Sequence, residues 1–250
     1  MIVQIYEIHT PREAEECIAR GVDHIGSVLL CEKGWRQPLI REVIRLSDGQ
    51  RAKNSLIPLF RRPDSLCRAL DYYCPHFVHF CDNLTDRDGL GTNLEEMISL
   101  QAEIRERFPE IRIIRSIPIP PEGVAPEFPV LSLARVFEPV SDIFLVDTWV
   151  GQEPVQGFIG ITGKTADWSR AVRLVSGSTT PVILAGGLSP DNVYEAMLRV
   201  APFGADSCTL TNRVDEAGNP VRFQKDFGKV ERFVMEVRRA EAALGNKADP

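Results

Sequence analysis

The chain has 250 residues, 44% of them hydrophobic and 26% charged, which is ordinary globular composition. A net charge of −6 with no concentrated basic stretch argues against a nucleic-acid surface, and no apolar run approaches the ~20 residues needed to span a bilayer. The opening MIVQIYEIHT lacks the basic and long apolar segments of a secretory signal. Six cysteines without a Cys-x-x-Cys pair fit reduced, mostly buried thiols in a cytoplasmic protein.

Residues 2–8 read as a strand, and Thr10-Pro11 opens a helix to about residue 20, closed by Gly21. A strand over 24–30 leads into a polar loop with Lys33, Trp35 and Arg36, then a helix over 38–46. Strand 55–60 precedes a helix begun by Pro63 and running to about 73. Strand 77–81 is followed by a long polar loop and a helix over 93–108. Residues 111–117 are β-branched and strand-like, and the five prolines between Pro118 and Pro129 predict a loop. A short helix over 131–137 precedes strand 142–146, with Asp147 just past its end. A glycine-containing loop over 151–165 leads to a helix over 167–176. A strand over 206–210, a loop and a helix over 227–243 finish the chain, and residues 245–250 are expected to fray.

Between the sixth and eighth units lies PVILAGGLSPDNV. It combines a buried strand over 182–185, the pair Gly186-Gly187, and a helix start with Ser189 as N-cap and Pro190 in the first helical position. Glycines lack Cβ, so backbone N–H groups there can approach an anion closely, and a following helix aims its positive end at the same point. The stretch reads as a phosphate cradle or as an ordinary strand-to-helix turn.

Eight strand–helix alternations with continuously apolar strands specify a parallel sheet covered on its outer face. Eight units in 250 residues point to an α/β fold, a closed (β/α)8 TIM barrel, forming a single domain over residues 1–250. Chemistry in such a barrel sits at the C-terminal strand ends. That selects residues 6–9, 33–36, 60–62 and 81–83, Asp147, residues 160–165, Gly186-Gly187 and residues 209–212.

With these positions on one rim, the sequence resembles the phosphoribosylanthranilate isomerase family. Four stretches carry the likeness: QIYEIHTPREAEECIARGVDHIG; FLVDT with GITGKTADW, which is similar to the family's Gly-Gly-Thr-Gly-Lys-Thr-Phe-Asp-Trp; PVILAGGLSPDNVYEAM; and GADS with KDFGKVERFVMEVRRA. The match is patchy between residues 46 and 138. The resemblance implies rearrangement of an aminoribosyl phosphate to an aminodeoxyribulose phosphate without metal or cofactor. A general acid protonates the furanose ring oxygen, and a general base removes the proton at sugar C2. It implies that Asp147 is the acid, that Arg36 meets a substrate carboxylate, and that Gly163, Gly186, Gly187 and Thr209 surround substrate. Asp147 also reads as a cap after strand six.

The sequence departs from the family at the base. The family's Lys-Ile-Cys-Gly is here Gln4-Ile5-Tyr6-Glu7, so the cysteine has become Tyr6. A phenol, with a pKa of about 10, is a poor base beside a thiol at about 8.5. Tyr6 either takes a chemical role or fills the barrel mouth. Glu7 is a substitute candidate, although strand alternation turns it from the face of Tyr6. The family's strand-four histidine aligns with Cys81, which is either a replacement thiol or a buried core cysteine. His79 and Cys81 make only two metal ligands, so no metal is expected. At strand eight the family's Ser-Ser-Gly becomes Cys208-Thr209-Leu210; Thr209 keeps a hydroxyl, and Leu210 removes a glycine that lets backbone approach phosphate. Gly163-Lys164-Thr165 ends like a nucleotide-binding loop, but that motif's first glycine would fall at Phe158.

Three readings follow: an Amadori-type aldose–ketose isomerase with a rebuilt base, a divergent isomerase or lyase of another sugar phosphate, and a non-catalytic phosphate-ligand-binding barrel. The expected partner is a small phosphorylated substrate, with no cofactor, nucleic acid or membrane. The oligomeric state is open.

Overall fold

The computed structural model describes residues 1–86 and 89–245. Eight parallel strands hydrogen-bond in sequence order and close into a barrel: β1 (Ile2–Ile5), β2 (His24–Leu29), β3 (Lys53–Pro58), β4 (Phe77–Phe80), β5 (Arg112–Ile119), β6 (Ile143–Thr148), β7 (Val182–Leu184) and β8 (Gly204–Ser207). Closure runs from Ile2 opposite Gly204 to Ile5 opposite Ser207. Only glycine fits at 204, because a Cβ there would lie 2.5 Å from the Ile2 carbonyl oxygen. Helices α1 (Pro11–Ala19), α2 (Pro38–Leu46), α3 (Pro63–Tyr73), α4 (Leu94–Arg107), α5 (Val130–Phe137), α6 (Trp168–Gly177), α7 (Val193–Val200) and α8 (Phe227–Gly245) alternate with the strands.

Local chemistry sets the helix ends. Thr10 and Glu13 form a reciprocal capping box ahead of Pro11, and the Asp167 carboxylate accepts from the Ser169 and Arg170 amides. The main core lies between sheet and helices, where residues such as Ile5, Val146, Leu184, Ala196 and Val237 are buried. A smaller cluster including Val28, Phe77, Ile114, Leu145 and Ile183 fills the barrel interior.

Several boundaries differ from the sequence expectation. β1 stops at Ile5, because Glu7 takes a left-handed φ of 64° that no strand accommodates. β5 runs on through Pro118 to Ile119. Its pairing with β4 ends at Arg115, so the proline occupies a free edge on that side. The pairing of β5 with β6 continues to Ile119 and Thr148, so Asp147 lies inside β6, opposite Pro118. α7 begins at Val193: residues 190–192 form a turn, and Asn192 folds back so that its Oδ1 accepts from the Ser189 amide and its Nδ2 donates to the Gly187 carbonyl. Ser189 is therefore no N-cap, and Pro190 is outside the helix.

β8 ends at Ser207, and Thr209–Thr211 form a 3-10 turn. The expected loop after it contains an antiparallel hairpin, β9 (Asn212–Val214) and β10 (Pro220–Lys225). Gly245 continues α8 instead of fraying, and the remainder of that expected tail, residues 246–250, lies outside the described residues. Of the six free cysteines, Cys17, Cys67 and Cys81 are buried and Cys208 is half-buried, while Cys31 and Cys74 are exposed. No helix among the described residues is long and apolar enough to cross a membrane.

Candidate active site

The C-terminal rim holds two adjoining cavities that share Asp147, Ile161, Asp206 and Cys208. One is apolar, walled by Val28, Ile57, Leu59, Leu145, Phe158 and Ile159. The other is the glycine-built cradle, formed by Gly163, Gly186, Gly187, Thr209 and Leu210 among others. Gly186 and Gly187 have φ of 82° and 63°, and Gly163 has 64°. A Cβ on Gly187 would lie 2.5 Å from the Lys164 carbonyl carbon, so the loop after β6 and the turn after β7 touch backbone to backbone. The Thr148 hydroxyl donates to the Lys164 carbonyl at 2.6 Å and holds that loop down. The cavity is thus walled by bare backbone at its glycines, without the helix-capping arrangement expected at Ser189. Leu210 sits in the cradle wall and leaves it present.

Asp147 opens onto both cavities. Removal from water raises its carboxyl to about 7, partly offset by the Thr148 amide, which donates to Oδ1 at 2.8 Å. The loop after β6 packs against this carboxylate so closely that a Cβ on Gly160 would lie 2.3 Å from Oδ2. Asp206, at the end of β8, lines both cavities as well. Burial, reinforced by the charge of Asp147, pushes it to about 8, and Gln4 Nε2 donates to its Oδ1 at 3.1 Å. Sequence reasoning missed Asp206. The expected strand over 206–210 put it at the strand base, whereas the observed strand is shifted two residues and lifts it to the rim. The sequence GADS was its only signal.

The candidate bases fare differently. Tyr6 fills the barrel mouth and lies over Gly26, where a Cβ would come within 2.2 Å of the ring. Its hydroxyl bridges Ser55 Oγ at 2.6 Å and His79 Nδ1 at 2.7 Å, and His79 Nε2 reaches Ser116 Oγ at 2.8 Å. Burial raises the phenol well above its ordinary range and lowers His79 to about 3, so this chain of groups is neutral. Cys81 is a buried thiol in the cavity wall, also pushed up by burial, so a thiolate there is disfavoured. Both His79 nitrogens are engaged, and among the described residues no three suitable side chains converge to hold a metal ion.

Glu7 corrects the alternation argument. It lies beyond the strand, lines the apolar cavity beside Tyr6, and is buried under the β9–β10 hairpin. Burial raises its carboxyl, but hydrogen bonds from Asn212 and Arg222, with the charges of Arg222 and Lys225, outweigh that and hold it below the usual range. It is a paired carboxylate, unsuited to taking a proton. Arg36 is also corrected: it is exposed outside both cavities, with its guanidinium over the Trp35 and Tyr72 rings at 4.9 and 5.8 Å. The arginine lining the apolar cavity is Arg222, which pattern reading took for part of a loop.

These features make a (β/α)8 barrel whose C-terminal rim carries a glycine-lined cavity next to two carboxyl groups raised by burial. Residues 100–210 match the family model described as N-(5'phosphoribosyl)anthranilate (PRA) isomerase. The N-(5'-phosphoribosyl)anthranilate isomerase of Haloferax volcanii is 40% identical over 124 residues, covering 49% of this chain and 51% of that protein. That of Methanosarcina acetivorans is 33% identical over 144 residues, covering 56% of each. The chain spans about half the length of the curated relatives it matches. The solved phosphoribosylanthranilate isomerase of Thermotoga maritima aligns with a TM-score of 0.67 at 22% identity, covering 96% of this chain and 100% of that one. The one from Pyrococcus furiosus gives 0.64 at 20%, covering 96% and 99%. At those identities the solved structures speak for the fold. The similarity to phosphoribosylanthranilate isomerases in sequence is strongest over the part of the chain that the family model matches, residues 100–210, which does not include the end of β1.

Proposed function

We propose that this chain isomerises N-(5'-phosphoribosyl)anthranilate or a close aryl analogue, as a single barrel unit acting in the cytoplasm on a small phosphorylated substrate. The observation that carries the reading is the pair Asp147 and Asp206, raised to about 7 and about 8 beside a glycine-built cradle on one rim. Six free cysteines suit a reducing compartment.

The substrate phosphate lies against the backbone of Gly163, Gly186 and Gly187, with the Thr209 hydroxyl nearby, and the sugar reaches toward the two aspartates. Asp147 in its carboxylic acid form gives its proton to the furanose ring oxygen as the ring C–O bond breaks and the nitrogen lone pair forms a C=N bond. Asp206 as carboxylate then takes the proton from C2, and the electron pair of that C–H bond neutralises the iminium, leaving an enolamine that tautomerises to the ketose. In the free protein Asp206, the more strongly raised of the two, keeps its proton near neutral pH, so the reactive state is the singly protonated pair with its proton shifted onto Asp147 and Asp206 ionised. Asp206 thus takes the part the resemblance gives to a cysteine at position 6. Tyr6 shapes the mouth, and Glu7 and Cys81 stay out of the proton transfers.

The test is the loss of phosphoribosylanthranilate fluorescence with purified protein. Wild-type turnover that Asp147→Asn and Asp206→Asn each lower by about 10²-fold or more is the expected result. Full activity in both variants would remove the assignment. No wild-type turnover, with inorganic phosphate still bound, would return the choice to another sugar phosphate or a binding barrel.

A further inference from the structure

Two residues lining the apolar cavity hold a backbone conformation that disfavours them. Glu7 has φ 64° and Ile161 φ 61°, where a side chain costs on the order of 1 kcal/mol or more. Such strain persists where the surroundings over-determine it. At Glu7 they do. Arg222 Nε donates to Oε1 at 2.6 Å, and Oε2 accepts from Asn212 Nδ2 at 2.9 Å and from the Phe223 amide at 3.2 Å. Phe223, itself at φ 60°, packs on the His9 ring at 4.4 Å. Glu7 therefore clamps the β9–β10 hairpin onto the end of β1.

The clamp fixes the guanidinium of Arg222. The group lines the apolar cavity, its Nε is spent on Glu7, and its Nη2 is buried without a partner among the described residues. A buried donor left unpaired is costly, which makes this nitrogen a place where an incoming acceptor gains. Lys225, donating to the Cys208 carbonyl at 2.7 Å, adds a second cation, so the cluster of Glu7, Arg222 and Lys225 carries net positive charge. Facing it are Val28, Leu59 and Phe158, apolar surface suited to a flat ring. Across Asp147 and Asp206 lies the cradle.

We propose that Arg222, held in place by Glu7, binds the carboxylate of an aryl-carboxylate substrate whose ring occupies the apolar cavity. The inference rests on the isomerase reading of the same site, and it moves the anion-recognising role from Arg36, on the outer surface, to the hairpin. An arginine fork presents parallel N–H donors that match a carboxylate, and a lysine at the same place does not.

The probes are anthranilate and aniline, which differ by the carboxylate, titrated by ligand-observed NMR, with inorganic phosphate titrated separately. Wild type is expected to bind anthranilate in preference to aniline. Arg222→Lys keeps a positive charge beside Glu7; it should weaken anthranilate by about 10–100-fold, the worth of a charge-assisted hydrogen bond, and leave phosphate affinity unchanged. Arg36→Lys should change neither. If Arg222→Lys does not fold, the double variant Glu7→Gln/Arg222→Met, which removes both charges, carries the same expectation. No preference for anthranilate in wild type, unchanged affinity in the Arg222 variants, or a loss on Arg36→Lys would each overturn the proposal. Carboxylate binding without turnover would sink the isomerase reading and spare this one; turnover without carboxylate preference would do the reverse.

Discussion

Replacing Asp206 by asparagine tests the proton-holding pair through stability alone. An unfolded aspartate has a pKa of about 3.9 and is ionised throughout pH 5–8. In the fold Asp206 is raised to about 8 and keeps its proton over most of that window. The folded state then binds about one proton more than the unfolded state, so stability falls as pH rises, by ~1.4 kcal/mol per pH unit and ~4 kcal/mol from pH 5 to 8. Asparagine keeps an oxygen to accept from Gln4 Nε2 and has no proton to lose. Asp206→Asn should therefore gain ~4 kcal/mol on wild type between pH 5 and pH 8. The four histidines, whose folded pKa values are lowered, act in the opposite direction below pH 6.5, and they cancel in the difference between the two proteins. The assay is urea denaturation of both proteins at pH 5, 6.5 and 8. A difference that stays flat within ~0.5 kcal/mol would mean that Asp206 is ionised in the fold throughout, and the paired-carboxyl argument would fail.

Asp147→Asn should abolish isomerase turnover while the circular dichroism spectrum stays that of wild type; normal turnover would exclude Asp147 as the acid. Gly187→Ala puts a Cβ 2.5 Å from the Lys164 carbonyl carbon at a φ of 63°, so the cradle must open. Calorimetry should show inorganic phosphate affinity falling by about tenfold or more, and unchanged affinity would place the anion elsewhere. Tyr6→Phe leaves Ser55 Oγ and His79 Nδ1 without their partner and should cost ~1–3 kcal/mol of stability with turnover retained. Loss of turnover at full stability would instead make Tyr6 a participant in the chemistry.

The sequence determined the architecture through local signals. Apolar runs marked the first seven strands and the eighth was placed two residues late, while α2 and α3 start and stop where the Pro-led patterns predicted, at Pro38–Leu46 and Pro63–Tyr73. Thr10 opens α1 where the sequence placed that start, whereas the cap expected at Ser189 does not form and Asp167, read as the first helical residue, is the cap of α6. The rim chemistry was not visible in the sequence. Glu7 meets Arg222 across 215 positions of chain, and Gln4 meets Asp206 across 202, distances over which no periodicity carries information. A single left-handed residue at Glu7 cancelled the alternation that should have turned its side chain away. A two-residue shift of β8 lifted Asp206 to the rim, and stacking on Trp35 and Tyr72 drew Arg36 outside. Strand and helix type follow from short-range preference. Which charges share a cavity, and which of them keep their protons, follows from closing the barrel, because only closure brings the distant partners together and excludes the water that would level their pKa values.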